Sequence, residues 1–329
     1  MSAPQSIEIL QSYLEPLGYK FETLNLGYNQ TQFTTITSAE GNAMTFSSEN
    51  PLYPFATSSS RLISRSKLNA YDFVTRVGIN VPKTLVIDYM NRQQVNIKQF
   101  LDEVSTAIVK PFDGSASSGL TLDVTDLDIL DNAIERALTV SKVALVQEQF
   151  FGEELRFIVI DGVVRAVILR EKPHVIGDGV RTVAELIEVE NTQRRNITGS
   201  MLVYPQLGVP LINQAIMTSV QILAPGQCLE LNKSTMIRGG ASIYNVISSI
   251  HPSYIELATR ATHDIGNGFV VADMMIRDYK MPADTSNYVF IEFNLNPALV
   301  LFYSCRDGQS FNIVEDYLGP MLEKVIGRH

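Results

Sequence analysis

Glu292 and Asn294 stand two residues apart in the β-rich run Phe290-Ile291-Glu292-Phe293-Asn294-Leu295-Asn296-Pro297. Strand side chains alternate, so the carboxylate and the amide share one face while Ile291 and Phe293 take the other. Asp273 interrupts a second apolar strand, Val270-Val271-Ala272-Asp273-Met274-Met275-Ile276. If the two strands pair, three oxygen ligands converge, a set suited to Mg²⁺ shared with substrate phosphates. Taken singly, Asp273 and Glu292 read equally well as solvent-facing strand residues, because charged side chains are rarely buried unless paired. Taken together with their apolar flanks, they favour the metal.

Two further groups are chemically suggestive. The strand Ile108-Val109-Lys110 runs into Pro111-Phe112-Asp113-Gly114-Ser115-Ala116-Ser117-Ser118-Gly119. Backbone N–H groups of a Gly/Ser loop can wrap phosphate oxygens, and a stem lysine adds a point charge; most such loops are only loops. Arg156 and Arg170 flank a hairpin, and a planar fork of donors suits a transferring phosphoryl group. On their own, these arginines read first as partners of neighbouring glutamates on an exposed hairpin.

The elements that must position these residues are legible in part. A helix is predicted around Ile7 to Leu17, with short strands near Gln32–Ser38 and Ala43–Ser47. Ala56-Thr57-Ser58-Ser59-Ser60 reads as a connector. Ala70, Phe73, Val74 and Val77 have helical spacing, and Gly78 sits where that helix stops. Strands follow at Thr84–Ile87 and Thr106–Lys110, then a helical stripe of Leu130, Ala133, Ile134 and Ala137. Asp161-Gly162 between Glu154–Ile160 and Val163–Arg170 is a hairpin signal. Capping boxes at Thr182/Glu185 and Ser253/Glu256 open helices through Val189 and Ile265. Strands Phe269–Ile276 and Tyr288–Asn294 complete an α+β pattern. Neither GxxxxGK[ST] nor a strand-linked GxGxxG is present, so ATP would need another fold to hold it.

With 45% hydrophobic and 19% charged residues over 329 positions, the chain reads as a soluble protein of two or three subdomains. No stretch reaches the ~20 apolar residues of a membrane span, and the first twenty residues lack a targeting pattern. Only Cys228 and Cys305 are present, which fits a reducing cytoplasm. The four histidines form no zinc pattern. A net charge of -9 argues against a nucleic-acid partner.

Order and spacing bring these pieces together. Over roughly residues 60 to 310 the chain resembles the ATP-grasp superfamily, above all its cyanophycin synthetase and bifunctional glutathione synthetase branch. Arg170-Glu171-Lys172-Pro173-His174-Val175-Ile176-Gly177-Asp178-Gly179-Val180-Arg181-Thr182 resembles that branch's R-x-P-A-H-V-x-G-D-G-x-x-T signature. Asn232-Lys233-Ser234-Thr235 with Gly239-Gly240 resembles its N-x-S-T-G-G loop, and Ile291–Pro297 its I-E-x-N-x-x-P metal strand.

The resemblance implies an ATP-grasp fold: two α+β subdomains clamping ATP, behind a short N-terminal α/β region. The implied divisions are 1–65, 66–147 (the lid half) and 148–329, with a substrate-side insertion at about 177–230. It implies that Lys67 and Lys110 hold ATP phosphates and that Gly114, Ser115, Ser117, Ser118 and Gly119 form a closing loop. Gln147, Glu148 and Phe150 would receive adenine at the hinge, with Glu154 near the ribose. Asp273, Glu292 and Asn294 would bind Mg²⁺, two ions in all, and Arg156 and Arg170 would stabilise the γ-phosphate and acyl phosphate. Arg194, Arg195, Ser234, Thr235 and Gly240 would line the substrate side, where Arg238 could contact a carboxylate.

The implied reaction is carboxylate–amine ligation of small amino-acid-like molecules in the cytoplasm, through an acyl phosphate, by a protein that is often a homodimer among its relatives. An ATP-grasp kinase or an intramolecular amide (lactam) former would use the same ATP residues. The chain departs from the branch in three places. Met236-Ile237-Arg238 is inserted between Ser-Thr and Gly-Gly, Leu299–Tyr303 replaces a histidine-bearing segment after Pro297, and the N-terminal region is short. All three lie toward the substrate side, which points to a different substrate.

Overall fold

The computed structural model describes residues 6–28, 30–92, 95–113, 119–198, 200–266, 268–307 and 309–327. α1 (Ser6–Leu14) buries Ile9, Leu10 and Leu14 and tightens into a 3₁₀ turn over Glu15–Leu17. β1 (Lys20–Leu26), β2 (Thr31–Thr37) and β3 (Ala43–Ser47) form an antiparallel meander. β1 was not expected: only Phe21 and Leu24 of its seven residues gain partial cover, so it carries no apolar signal. The expected connector at Ala56–Ser60 is instead the start of α2 (Ser58–Arg65). Thr57 caps it by accepting the Ser60 amide at 3.0 Å, and a serine run is as good a first turn as a loop once capped. A single residue, Ser66, separates α2 from α3 (Lys67–Thr75), and its hydroxyl accepts the Asn69 amide.

β4 (Thr84–Asp88), α4 (Ile97–Val104), β5 (Ala107–Pro111), β6 (Thr121–Val124), α5 (Leu127–Val140) and β7 (Val143–Glu148) build a four-stranded antiparallel sheet in the order β4-β7-β5-β6. Asp126 caps α5 by accepting the Ile129 amide. Leu130, Ala133, Ile134, Ala137 and Leu138 then pack on Val109, Ala144 and Val146. Each buried Leu or Ile there contributes about 1.5–3 kcal/mol relative to exposure.

The rest of the chain contains β8 (Glu153–Ile160), β9 (Val163–Glu171), β10 (His174–Ile176), α6 (Val183–Arg195), α7 (Gln214–Met217), β11 (Cys228–Glu230), β12 (Ser242–Asn245), α8 (Pro252–Thr262), β13 (Phe269–Ile276), β14 (Tyr288–Asn294) and α9 (Gly319–Ile326). Five strands pair antiparallel in the order β12-β9-β8-β13-β14. The hairpin β8–β9 turns at Asp161 and Gly162, both with positive φ (49° and 75°), the geometry a two-residue type I′ turn requires.

The two faces of this sheet bury different layers. Ile158, Ile168, Ile243 and Val271 pack with α1, the meander and the C-terminal segment from Leu299 to Ile326. Leu155, Phe157, Leu169 and Ala272 pack with Tyr71 and Val74 of α3 and Tyr254 and Ala258 of α8. α3, which a division at residue 66 groups with the lid half, thus buries its apolar face on the five-stranded sheet. β10 and β11 pair, and Val175, Val183, Leu186, Ile187, Leu207, Ile212, Leu223 and Leu231 form a separate small core.

The Thr182/Glu185 capping box is present with both reciprocal bonds, and its helix runs to Arg195, past the expected Val189. The second predicted box is not the cap. His251 caps α8 through Nδ1, because Pro252 occupies the first helical position and moves the start forward. Ser253 instead accepts the Ala283 amide at 2.8 Å. Among the described residues no helix is long and apolar enough to cross a membrane.

Candidate active site

Lys67, the first residue of α3, forms an ion pair of 2.9 Å with Glu292 of β14. Lys110 comes from the other sheet, on β5, and faces the same charges. Burial in the cleft, reinforced by Lys67, pushes the Lys110 pKa down to about 7, against the pull of Glu292. Burial alone would raise the Glu292 carboxyl, but Lys67, Lys110 and Arg156 outweigh it and hold the group below its ordinary value. The cleft between the sheets is therefore a place where cations outnumber the carboxylate they share.

Asp273 and Glu292 are cross-strand partners on β13 and β14, and Asn294 faces Val271 two positions along. A register shift follows Asp273, so the strand pair is irregular at the carboxylates. Asp273 is gripped in a bidentate pair by Arg156 of β8, Nε at 2.9 Å and Nη2 at 2.6 Å, with side chains only 6% (Arg156) and 3% (Asp273) exposed. Burial and the nearby Glu292 raise the Asp273 carboxyl, and Arg156 opposes them. Arg156 is thus a buried partner of an aspartate, rather than the exposed partner of a glutamate that its hairpin position suggests.

Arg170 follows the simpler expectation in part. Its Nη1 lies 2.8 Å from Glu154 Oε1, while Glu154 Oε2 accepts a 2.6 Å bond from Thr235 Oγ1. Two carboxylates and an amide on one face of adjacent strands form a hard oxygen set that fits Mg²⁺. Both carboxylates are now held by cations, as stand-ins for positive charge.

Gln147 ends up buried. Its Nε2 donates to Thr84 Oγ1 at 2.7 Å and to Tyr71 OH at 3.2 Å, while its Oε1 is a buried acceptor with no protein partner among the described residues. Glu148 donates its amide to the Lys83 carbonyl at 2.9 Å. Phe150 carries the Arg277 guanidinium over its ring at 4.8 Å. Gly114, Ser115, Ser117 and Ser118 lie outside the described residues. Gly119 has φ +70°, and a Cβ there would stand 2.9 Å from the Pro111 ring, so the loop's exit admits only glycine comfortably.

The substrate-side residues separate into two groups. Ser234 and Thr235 join the site: Asn232 Oδ1 accepts the Ser234 amide, Ser234 Oγ accepts the Met236 amide, and Thr235 reaches Glu154. The inserted Met236-Ile237-Arg238 is accommodated by a 3₁₀ turn at Ile237–Gly239 that ends on Gly240 (φ 95°). Arg238 is exposed, near Met236 Sδ. Lys233 pairs with Asp123 of β6, tying this loop to the four-stranded sheet. Arg194 is committed elsewhere, to Glu190, Pro205 O, Gly240 O and Ser242. Arg195 pairs with Glu188 on the surface.

Three contributors gave no sequence signal. Asp123 lacks a motif. Asn296 occupies a variable position of the Ile291–Pro297 motif, yet it accepts the Leu52 amide and donates to Glu49 O at 2.9 Å, pinning the N-terminal layer to the end of β14. Arg306 joins Glu190 from 116 residues away.

Two antiparallel sheets that bring lysines together over a carboxylate-bearing strand pair define the ATP-grasp fold. Among solved structures the chain superposes on a bifunctional glutathione synthetase from Pasteurella multocida, with TM-score 0.59 at 22% identity over 92% of this chain and 42% of that one. It also superposes on the VanG D-Ala:D-Ser ligase from Enterococcus faecalis, with TM-score 0.50 at 18% identity over 83% of this chain and 63% of that one. In sequence it is 28% identical over 279 residues to the glutathione biosynthesis bifunctional protein GshAB of Mannheimia succiniciproducens, covering 81% of this chain and 36% of the relative. It is likewise 28% identical over 253 residues to the cyanophycin synthetase of Trichormus variabilis, covering 74% and 28%. The chain thus spans about a third of the length of these curated relatives. No protein-family profile matches it.

Proposed function

We propose that the chain is an ATP-dependent ligase that joins a carboxylate to an amine, both small and amino-acid-like, through an acyl phosphate, releasing ADP and phosphate. The observation that carries this reading is the meeting of Lys110 from one sheet with the Lys67–Glu292 pair from the other, beside Arg156–Asp273. ATP phosphates would take Lys67 and Lys110, and adenine would enter at the Gln147–Phe150 hinge, where the Gln147 acceptor has no protein partner among the described residues. Asp273, Glu292 and Asn294 would hold two Mg²⁺ ions, which polarise the γ-phosphate and neutralise its oxygens. Arg170 and Arg156 would stabilise the charge that spreads over the transferred group. Ser234, Thr235 and Gly240 would position the carboxylate, and closing the lid would keep water from the acyl phosphate. The free Cys228 and Cys305 suit a reducing cytoplasm.

The test is ADP and phosphate release with Mg·ATP across amino acids offered singly and in pairs. Release that requires two compounds, with an amide product by mass, is the expected result. Release with one compound and a phosphorylated product would replace the ligase by a kinase, and loss of water from one compound would indicate lactam formation.

A further inference from the structure

Asp123 stands in β6 with φ 55°, in the left-handed region. It sits at a bulge: Ala107 faces Val124 and Val109 faces Thr121, so Leu122 and Asp123 together oppose Ile108. A bulge bends its strand and re-aims a side chain, and aspartate tolerates positive φ better than most residues. One partner holds Asp123 there. Gln149 Oε1 accepts the Asp123 amide at 2.7 Å, and Gln149 Nε2 donates to Asp123 Oδ1 at 2.8 Å. A backbone N–H can bond only the oxygen of a side-chain amide, so the orientation of Gln149 is fixed. Gln149 is anchored in turn, because its own backbone N–H donates to Thr106 O at 3.0 Å.

With Oδ1 occupied, Asp123 turns Oδ2 to Lys233. Lys233 and then Gln149 hold the Asp123 carboxyl below its ordinary value. Lys172 adds to that pull from further off, but its ammonium is already paired with Glu230 at 3.2 Å. Lys233 opens a loop that is braced internally. Asn232 accepts the Ser234 amide at 2.7 Å and donates to Gly239 O at 2.8 Å, and Ala241 donates to Met236 O at 3.2 Å. A loop bonded to itself moves as one piece. A tether at Lys233 therefore also places Thr235, which reaches Glu154 of the five-stranded sheet at 2.6 Å.

We propose that Gln149 and Asp123 are positioning residues that couple the Gln147–Phe150 segment to the Asn232–Gly240 loop, so that ordering either one favours the ordered form of the other. Without Gln149, nothing aims the Asp123 carboxylate, and Lys233 loses a fixed partner. Glu154 also pairs with Arg170 at 2.8 Å, so the relay ends at a group proposed to meet the transferred phosphoryl. A base held at the Gln147–Phe150 segment would steady Gln149, and by reciprocity an ordered loop would favour that base. This nucleotide half rests on the proposed ATP site; the half from Gln149 to the loop stands without it.

Trypsin cleavage of the native full chain after Arg238, an exposed loop residue, reads how often the loop opens. Gln149→Ala, Asp123→Asn and Lys233→Ala should each speed this cut about 2- to 5-fold, the scale of one exposed ion pair, and Lys233→Arg should not. Gln149→Ala combined with Lys233→Ala should open no faster than Lys233→Ala alone, whereas independent supports would multiply. Should Gln149→Ala fail to fold, Gln149→Glu keeps the acceptor for the Asp123 amide and replaces only the donor, by a like charge. Mg²⁺ with a non-hydrolysable ATP analogue should slow the wild-type cut about 2- to 5-fold more than the Gln149→Ala cut. The relay is overturned if the single variants cut at the wild-type rate, if the two effects multiply, or if the analogue binds but slows both proteins equally. Failure of the analogue to bind, read by calorimetry, would contradict the ATP site, while the cut rates without nucleotide still decide the relay.

Discussion

Lys67 and Glu292 meet at 2.9 Å although α3 and β14 lie at opposite ends of the chain, and the pair sits where Lys110 arrives from the other sheet. The salt bridge is partly open to solvent, 22% and 35% exposed, so it contributes little to stability. In the proposed reaction its value would be positional: it would hold the cation meant for a phosphate against the carboxylate meant for a metal ion until nucleotide and ion separate them.

Replacing Glu292 by Gln removes the charge of a proposed metal ligand and releases Lys67. We expect turnover to fall at least 10²-fold, the scale of losing one preorganised electrostatic contact, with an unchanged circular dichroism spectrum. Near-normal turnover would remove Glu292 from the metal set.

Lys110 supplies a pH signature. With its pKa lowered to about 7, it is neutral above that pH in the free protein but must be an ammonium to meet a phosphate. ATP affinity should therefore fall as pH rises from 7, with uptake of up to one proton per ATP near pH 8. Titrations in buffers of different ionisation enthalpy measure this uptake, and Lys110→Arg should abolish it. The stability sign follows from the same shift. Between about 7 and the ordinary lysine value the unfolded chain holds a proton that the native chain lacks, so this residue makes stability rise with pH.

The buried Arg156–Asp273 pair makes a contrasting prediction. Arg156→Met strands the Asp273 carboxylate and should cost about 3–5 kcal/mol in urea unfolding. Combining it with Asp273→Leu should restore much of that stability while leaving turnover undetectable. Recovery of stability without activity would mark the pair as chemical rather than structural.

The Lys233–Asp123 bridge is exposed and joins the Asn232–Gly240 loop to the four-stranded sheet. Asp123→Asn should leave the melting temperature within a degree or two, since exposed pairs are worth about 0.2–1 kcal/mol. The KM for ATP should rise by a small factor, because the four-stranded sheet loses its tie to the loop from which Thr235 reaches Glu154. An unchanged KM would mean that the bridge does not influence nucleotide binding.

Much of the site was legible because it rides on strongly patterned elements. β13 and β14 are nearly unbroken apolar runs, so Asp273 and Glu292 stood out as interruptions, and Asp161-Gly162 announced its hairpin. What could not be read was pairing at a distance. Arg156 finds Asp273 across 117 residues, and nothing local distinguishes that from the glutamates beside it. β1 was missed because its polar alternation buries almost nothing, and the Ser58 helix start because capping, rather than hydrophobicity, defines it.

The proposed acyl phosphate can be traced directly by one labelling measurement. A carboxylate substrate identified in the release assay is prepared with ¹⁸O in its carboxyl group and turned over with Mg·ATP and the amine. Attack by that carboxylate on the γ-phosphate, followed by amine displacement, transfers one ¹⁸O into the released inorganic phosphate and leaves the other in the amide. That is the result expected here. Unlabelled phosphate accompanying a fully labelled carboxylate would contradict the account.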